Sequence, residues 1–383
     1  MANNTTTELT GWKKYFKEQN IEISGKRIFI DGLSGMAHGL FASLLIGCII
    51  GTISNYVNIP VTIGGETVNF LAQVKTYCYA IQGSAMAVAI AYAMKAPPFV
   101  MYSCLAVGYA ANALGGGGGP LAVFFVTVAA VFLGKLVSKR TPVDIIVTPA
   151  VTIILGVVVA LIIAPPIGSV ATLLGQLIMK ATELQPFLMG VAVATLMGII
   201  LTLPISSAAI CAAFGLVGLA GGACVAGCCA QMVGLAVCTY RENRIGGLLS
   251  QGLGTSMLQV PNLLRKPILW LPPVIASMIN GPIATVVFKL QMNGAPISSG
   301  MGTSGLVGPI GVVTGWMNPS DQAVAAVGGG LGVNLDTAYA NPAFQWIGLI
   351  IICFVIPAVV SLLVSEFMRK KGLIEFGDYK LDL

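Results

Sequence analysis

Long apolar runs, broken at intervals by proline, glycine and serine, set the pattern of this chain. A polar, basic lead covers 1–27, and the first apolar run follows over 28–54. The next run covers about 70–94, and the polar stretch 55–70 between them reads as a loop or short hairpin. Ala96-Pro97-Pro98 turns the chain, and a third run ends in five consecutive glycines, Gly115 to Gly119. A fourth run covers about 120–137 and a fifth about 143–163. Pro165 and Pro166 are expected to end the fifth, because proline lacks an amide donor and clashes with the preceding turn. Residues 167–181 then read as a short interfacial helix and 186–203 as a sixth span.

Beyond Leu203 the runs shorten. Residues 206–221 and 223–240 read as two short apolar segments joined at Gly221-Gly222. Residues 245–262 are too polar and glycine-rich for a full span and suit a re-entrant hairpin. A long span is expected over about 268–289, a second hairpin over about 296–316, an outer segment over 317–342 and a last span over about 343–367. The sum is an all-α polytopic membrane protein with about ten full or partial spans. It divides into a lead (1–27), a transmembrane domain (28–368) and a tail (369–383).

One repeat stands out. Pro204-Ile205-Ser206-Ser207 returns as Pro296-Ile297-Ser298-Ser299, and each copy is followed by Gly-Leu-Val-Gly, at 215–218 and 305–308. Inside lipid an unpaired backbone group costs several kcal/mol, so broken backbone survives only where protein buries it or water reaches it. Matched interruptions of this kind point to a transporter's binding site and to inverted-repeat elements. The threading places the first copy near one face of the membrane and the second near the other. Ser206/Ser207 and Ser298/Ser299 are therefore expected to approach one site from opposite sides.

Composition agrees with this class. Charged residues make up 9% of the 383 residues and the mean hydropathy is +0.90, against about 25% charged in soluble domains. The net charge of +6 matters less than its placement. Basic clusters at Lys26/Arg27, Lys95, Lys135/Lys139/Arg140, Arg241/Arg244, Arg265/Lys266 and Arg369/Lys370/Lys371/Lys380 flank span ends. The positive-inside rule then puts both termini in the cytoplasm. Such flanking clusters need no nucleic-acid partner. Trp12, Tyr15 and Phe16 with Lys13, Lys14 and Lys17 suit an interfacial helix. No cleavable signal peptide is read, so the first span is expected to act as its own insertion signal. The nine cysteines lack metal-ligand spacing with a histidine and read as packing residues. No metal or cofactor is expected.

Few polar side chains lie at membrane depth, where a charge costs at least about 2.5–3.5 kcal/mol. Glu183, with Gln185 beside it, reads either as a solute ligand or proton carrier, or as a charge at the start of the helix that holds Pro186. Asp144 reads as a helix cap, Asp31 as a snorkelling acid, and Glu242 as a local ion pair with Arg241 and Arg244. His38, the only histidine, reads as a packed residue, with a proton relay as the functional alternative. The uncharged set is Ser206, Ser207, Gln231, Ser250, Gln251, Thr255, Ser256, Gln259, Asn262, Ser298, Ser299, Thr303 and Ser304, all in the broken segments. Such groups suit a polyhydroxyl or small polar solute, although Ser, Thr and Gly also permit close helix packing. The glycine run resembles a phosphate loop only superficially, since no Lys-Ser/Thr follows and no strand precedes it. No nucleophile–base pair is found, so catalysis is not expected.

The runs DIIVTPAVTIILG (144–156), ATELQPFLMG (181–190), LTLPISSAAI (201–210), CCAQMVG (228–234), RENRIGGLLSQGLGTSMLQVPN (241–262) and MGTSGLVG (301–308) resemble one bacterial family. It is the family of membrane (IIC) components of the phosphoenolpyruvate-dependent phosphotransferase system. More narrowly the chain, with its ending SEFMRKKGLIEFGDYKLDL, is similar to the subgroup described as regulators of the perfringolysin toxin. The resemblance implies a homodimer in the bacterial cytoplasmic membrane, working as an elevator with re-entrant hairpins on a mobile part. It implies a solute bound by polar hairpin residues and one glutamate, for which Glu183 is the match by context. Separate IIA and IIB partners would perform any phosphorylation, because no IIA or IIB domain is fused here.

The expected function is transport of a small polar solute, a sugar or sugar-like compound. The expected ligands are Glu183, Gln185, Ser206, Ser207, Gln231, Thr255, Ser256, Ser298, Ser299, Thr303 and Ser304. An ion-coupled carrier of a small organic acid or nucleobase is the alternative, with His38 and Glu183 carrying protons. A membrane sensor that regulates gene expression and moves nothing is a third reading.

Overall fold

The structure is a computed structural model that describes residues 15–16, 18–54, 57–336 and 342–381. Trp12, Lys13, Lys14 and Lys17, assigned above to an interfacial helix, lie outside the described residues. The first helix, α1, runs over Lys26–Ser54. A hairpin of β1 (Pro60–Ile63) and β2 (Glu66–Asn69) follows, with Val61 opposite Val68. Next come α2 (Phe70–Ala80), α3 (Gln82–Ala93), α4 (Pro98–Gly115), α5 (Gly119–Val137) and α6 (Asp144–Thr182). The chain continues through α7 (Pro186–Thr202), α8 (Ser207–Phe214), α9 (Gly218–Cys238) and α10 (Tyr240–Leu249). It closes with α11 (Val260–Arg265), α12 (Pro267–Val287), α13 (Val307–Met317), α14 (Asp321–Ala325) and α15 (Pro342–Lys370). Among the described residues, six helical stretches are long and apolar enough to cross a membrane: α1, Pro98–Val137, α6, α9, α12 and α15. The all-α polytopic architecture read from the sequence is the one observed.

Two boundaries differ from expectation. Pro165 and Pro166 do not end a span, and α6 is one helix of 39 residues with both prolines inside it. A proline in a helix interior costs about 3 kcal/mol. Unravelling a turn in lipid would strand several amides and carbonyls at several kcal/mol each, so the helix persists. Gly221-Gly222 is no joint either, but lies within α9, the most buried long helix. The joint falls at Gly215, left-handed at φ 60°, whose turn is closed by the Leu216 amide on the Cys211 carbonyl (3.0 Å). At Gly222 the Leu290 backbone passes so close that a Cβ would collide with its carbonyl.

Packing divides the molecule into two halves. One core joins α1, α3, α4, α5 and the first part of α6, and Met257 and Val260 dock into it. The others surround α9. One takes in the second part of α6 with α7 and α8. Another joins α12, α13 and α15. The last joins the C-terminal end of α9 to α11 and the C-terminal tail. Helix α6 is thus the continuous beam between the halves.

The basic clusters gather at one end. Lys135 is buried, and its ammonium donates to the carbonyls of Asn20 and Met94, each at 2.7 Å. Tyr15 donates to the Leu136 carbonyl and lies under Arg140. In the other half Lys266 pairs with Asp378 (2.7 Å) and Arg241 with Glu366 (2.7 Å). Glu242 does not make the expected local pair. It is held by Arg369 at 2.8 and 3.1 Å, because α15 brings that guanidinium against the α9–α10 corner. Asp144 sits in the first turn of α6 and accepts from the Lys139 amide and the Thr148 hydroxyl, both at 2.6 Å. Asp31 pairs with Arg27 one turn earlier at 3.2 Å.

The Arg369–Glu242 pair is nearly dry, with side-chain exposures of 8% and 1%. Removing one partner of such a pair leaves a buried charge uncompensated, at about 3–5 kcal/mol. Glu242→Ala is expected to lower unfolding free energy by about 3 kcal/mol in detergent, read by thermal unfolding, whereas Glu366→Ala at the exposed pair costs under about 1 kcal/mol.

Candidate functional site

The first Pro-Ile-Ser-Ser copy begins a helix. Leu203 is extended, as a residue before proline tends to be, and Ser206 is the N-cap of α8. Its hydroxyl accepts from the Ala209 amide (3.2 Å) and its carbonyl from the Ile210 amide (3.1 Å). Its own amide donates to the Gly117 carbonyl at 2.9 Å. The five-glycine run therefore has a structural task. Gly116, at φ 50°, turns the chain between α4 and α5, and the bare backbone at Gly118 packs against the Ile167 carbonyl of α6. The run presents Gly117 to the first copy.

The second copy forms a tight 3₁₀ turn, Pro296–Gly300, and packs on the first. Ser207 donates to the Gly300 carbonyl at 2.6 Å, and Ser299 donates to the Leu216 carbonyl at 2.7 Å. The fourth residue of each copy thus satisfies backbone that follows the other copy. The contact is close: a Cβ on Gly300 would lie 2.5 Å from the Ser207 carbonyl oxygen and 2.8 Å from the Ala208 nitrogen.

Beside this clasp lies a cavity of about 140 Å³. Its first wall comes from one half of the molecule, with Leu40, Leu44, Gln82, Asn112 and Gly116. Its second comes from the other half, with Ser206, Ser207, Ala208, Thr255 and Ser304. No charged residue lines it. In the first turn of α8 the Ser207 amide bonds the Ile205 carbonyl (3.0 Å) and the Ala209 amide the Ser206 hydroxyl, which leaves the Ala208 amide as the one of that turn open to a ligand. Among the described residues, the side chains of Gln82, Asn112 and Ser304 have no hydrogen-bond partner. At roughly 10–15 Å³ per water, the space suits about ten waters or one ring-sized polar molecule.

The expected ligands divide. Ser206, Ser207, Thr255 and Ser304 meet at this cavity. Gln231 and Ser256 are fully buried and bonded elsewhere. Gln231 accepts from Thr202 (3.2 Å) and Trp270 (2.8 Å) and donates to Ser277 (3.3 Å), while Ser256 bonds Thr202 at 2.9 Å. Together they brace α7, α9 and α12. Thr303 donates to the Gly252 carbonyl, Ser299 serves the clasp, and Ser298 is buried against Gly311. Glu183 and Gln185 are exposed at the α6–α7 turn and line neither cavity. Glu183 follows the last residue of α6 instead of capping α7, whose start has no side-chain cap. Gln82 and Asn112 were not singled out in the sequence. The available signal was a lone amide, Asn112, in the third apolar run, and Gln82 as one of two amides, with Gln73, in the second.

A second, larger chamber of about 1450 Å³ adjoins the first. It lies between α1 and α3 on one side and α11 and the tail on the other, and the exposed His38 reaches into it with Asp31, Lys26 and Arg265. The two spaces share a thin wall. Leu40, Gln82 and Met257 face the small cavity, whereas their chain neighbours Gly39, Ile81 and Leu258 face the chamber. No cluster of three or more metal-ligating side chains occurs among the described residues.

The family model described as "Phosphotransferase system, EIIC" matches residues 30–381. No curated protein and no solved structure matches the chain.

Gly300→Ala forces a Cβ against backbone that cannot yield. It is expected to cost about 1–3 kcal/mol, and Ser207→Ala about 1–2 kcal/mol through the orphaned Gly300 carbonyl. Thermal unfolding of the two variants measures both.

Proposed function

The chain belongs to the phosphotransferase-system EIIC family, and from that premise we propose that it carries a small polar solute, a sugar or sugar-like compound, across the bacterial cytoplasmic membrane. One observation carries the reading: an uncharged cavity between two halves of a multi-pass membrane protein, lined by the unpartnered side-chain amides of Gln82 and Asn112, the Ser304 hydroxyl and the first turn of α8. Groups that both donate and accept suit a polyol, whose hydroxyls do the same. In this reading Gln82, Asn112, Ser304, Thr255 and Ser206 bind the solute, and Ser207 holds the first turn of α8 in place.

The two halves support an elevator-type motion. The cavity lies on their seam, so sliding one half past the other would carry its walls apart and expose the solute. The chamber at the basic end is the cytoplasmic vestibule in this reading, following the positive-inside rule, and both termini lie on that side. The reading retains a homodimer and separate IIA and IIB partners. Glu183, exposed at a turn, is left without a solute contact in this conformation.

Purified protein in liposomes, offered radiolabelled sugars, polyols and sugar acids, is expected to accumulate at least one. Asn112→Ala is expected to lower its apparent affinity roughly tenfold, the equivalent of about 1.4 kcal/mol. The unfolding midpoint is expected to stay near that of the parent, since the Asn112 amide makes no hydrogen bond within the protein and alanine keeps the Cβ that packs on Gly83. Folded protein that moves none of these solutes would refute the proposal.

A further inference from the structure

The wall between the two cavities is not held by the membrane helices alone. Met257 and Leu258 belong to the turn Ser256–Gln259, which leads straight into α11. This turn is bound from below by the C-terminal tail. Gln259 donates to the Tyr379 carbonyl at 3.0 Å, and Asn262 donates to the Lys380 carbonyl at 2.9 Å. Lys266, just past α11, is paired with Asp378. The tail is itself fixed at three points. Tyr379 is fully buried and donates to the Leu269 carbonyl at 2.7 Å. Asn243 of α10 donates to the Tyr379 carbonyl and accepts from the Leu381 amide, both at 2.8 Å. Arg369, at the end of α15, anchors the root through Glu242. Four tail residues, Gly377, Asp378, Lys380 and Leu381, also form part of the chamber wall.

We propose that the tail is a strap that holds the Met257–Leu258 wall closed between the chamber and the small cavity. The turn cannot swing toward the chamber without stripping two buried amide side chains from their tail carbonyls. Each such loss leaves a buried polar group unmet, a cost of about 1–3 kcal/mol. Release of the tail removes these carbonyls and the Lys266 pair together and frees Gln259 and Asn262 to move with the turn. Burial works against the Asp378 charge, but hydrogen bonds from Lys266 and the Glu375 amide, with the charges of Lys266 and Arg369, hold its carboxyl below the usual carboxylate range. The pair is therefore charged at neutral pH, and the strap is closed by default.

The strap concerns the wall, and it stands whether or not the small cavity binds a sugar. The probe is a cysteine behind the wall, Ser304→Cys, in a Cys78→Ser background, labelled with a membrane-impermeant maleimide from the basic end. Protein without the Ser304 substitution supplies the background rate. Truncation after Gly372, and Lys266→Asp in the full chain, are each expected to raise the labelling rate roughly fivefold or more, the lower end of coupling between two sites. The charge-swapped pair Lys266→Asp with Asp378→Lys is expected to return the rate toward that of the parent. Unchanged labelling in a folded Lys266→Asp protein, or a faster rate that the swap does not reverse, would overturn the strap. Solute uptake by the full chain with Ser304 intact tests the transport reading separately.

Discussion

Everything in this molecule answers to the requirement that backbone amides and carbonyls at membrane depth find partners within the protein. Helices meet it unaided, and most of the chain is helical for that reason. The interest lies where helices stop. At Pro204 and at Pro296 the chain breaks, and the two breaks meet each other: Ser207 serves Gly300 and Ser299 serves Leu216. The glycine run meets the first break as well, with Gly117 accepting from the Ser206 amide. Even the extended chain beyond Lys289 is paired, Met292 exchanging both hydrogen bonds with Gly218.

A consequence is that the polar site and the structural clasp share residues. Ser206 both caps α8 and lines the cavity, and Ser207 lines it while holding Gly300. The first turn of α8 is thereby fixed before any solute arrives, which lowers the ordering cost of binding. The opposite wall is less constrained. Gln82 follows the break at Ile81 between α2 and α3, and Asn112 stands near the end of α4, and neither side chain is hydrogen-bonded within the protein. A seam with one wall bonded into the clasp and free amides on the other suits a site whose walls must part when the halves move.

The repeated tetrapeptide was legible because proline and paired serines are conspicuous in apolar sequence. What it meant was less so. Expected to reach one site from two sides, the copies instead grip each other, and only the first lines the cavity. Gln231 and Ser256 looked like ligands because they are polar and deep, yet their bonding capacity is spent on Thr202, Trp270 and Ser277. Gln82 and Asn112 carried no local mark, since a single amide in an apolar helix looks the same whether it faces a cavity or a neighbouring helix. Glu242 misled for the opposite reason: two arginines adjoin it in sequence, but its partner, Arg369, arrives from 127 residues away.

Hydrophobicity, proline and glycine are read residue by residue, so the sequence by itself determined the membrane class, the places where helices break and the polar inventory of those breaks. Whether a break ends a helix depends on what surrounds it, and α6 passed through Pro165 and Pro166 because lipid offers no other partners to its backbone. Which polar groups remain free for a ligand depends on which have already found partners in the protein. Those partners come from distant elements, so only the tertiary structure could separate Asn112 and Ser304 from Gln231 and Ser256.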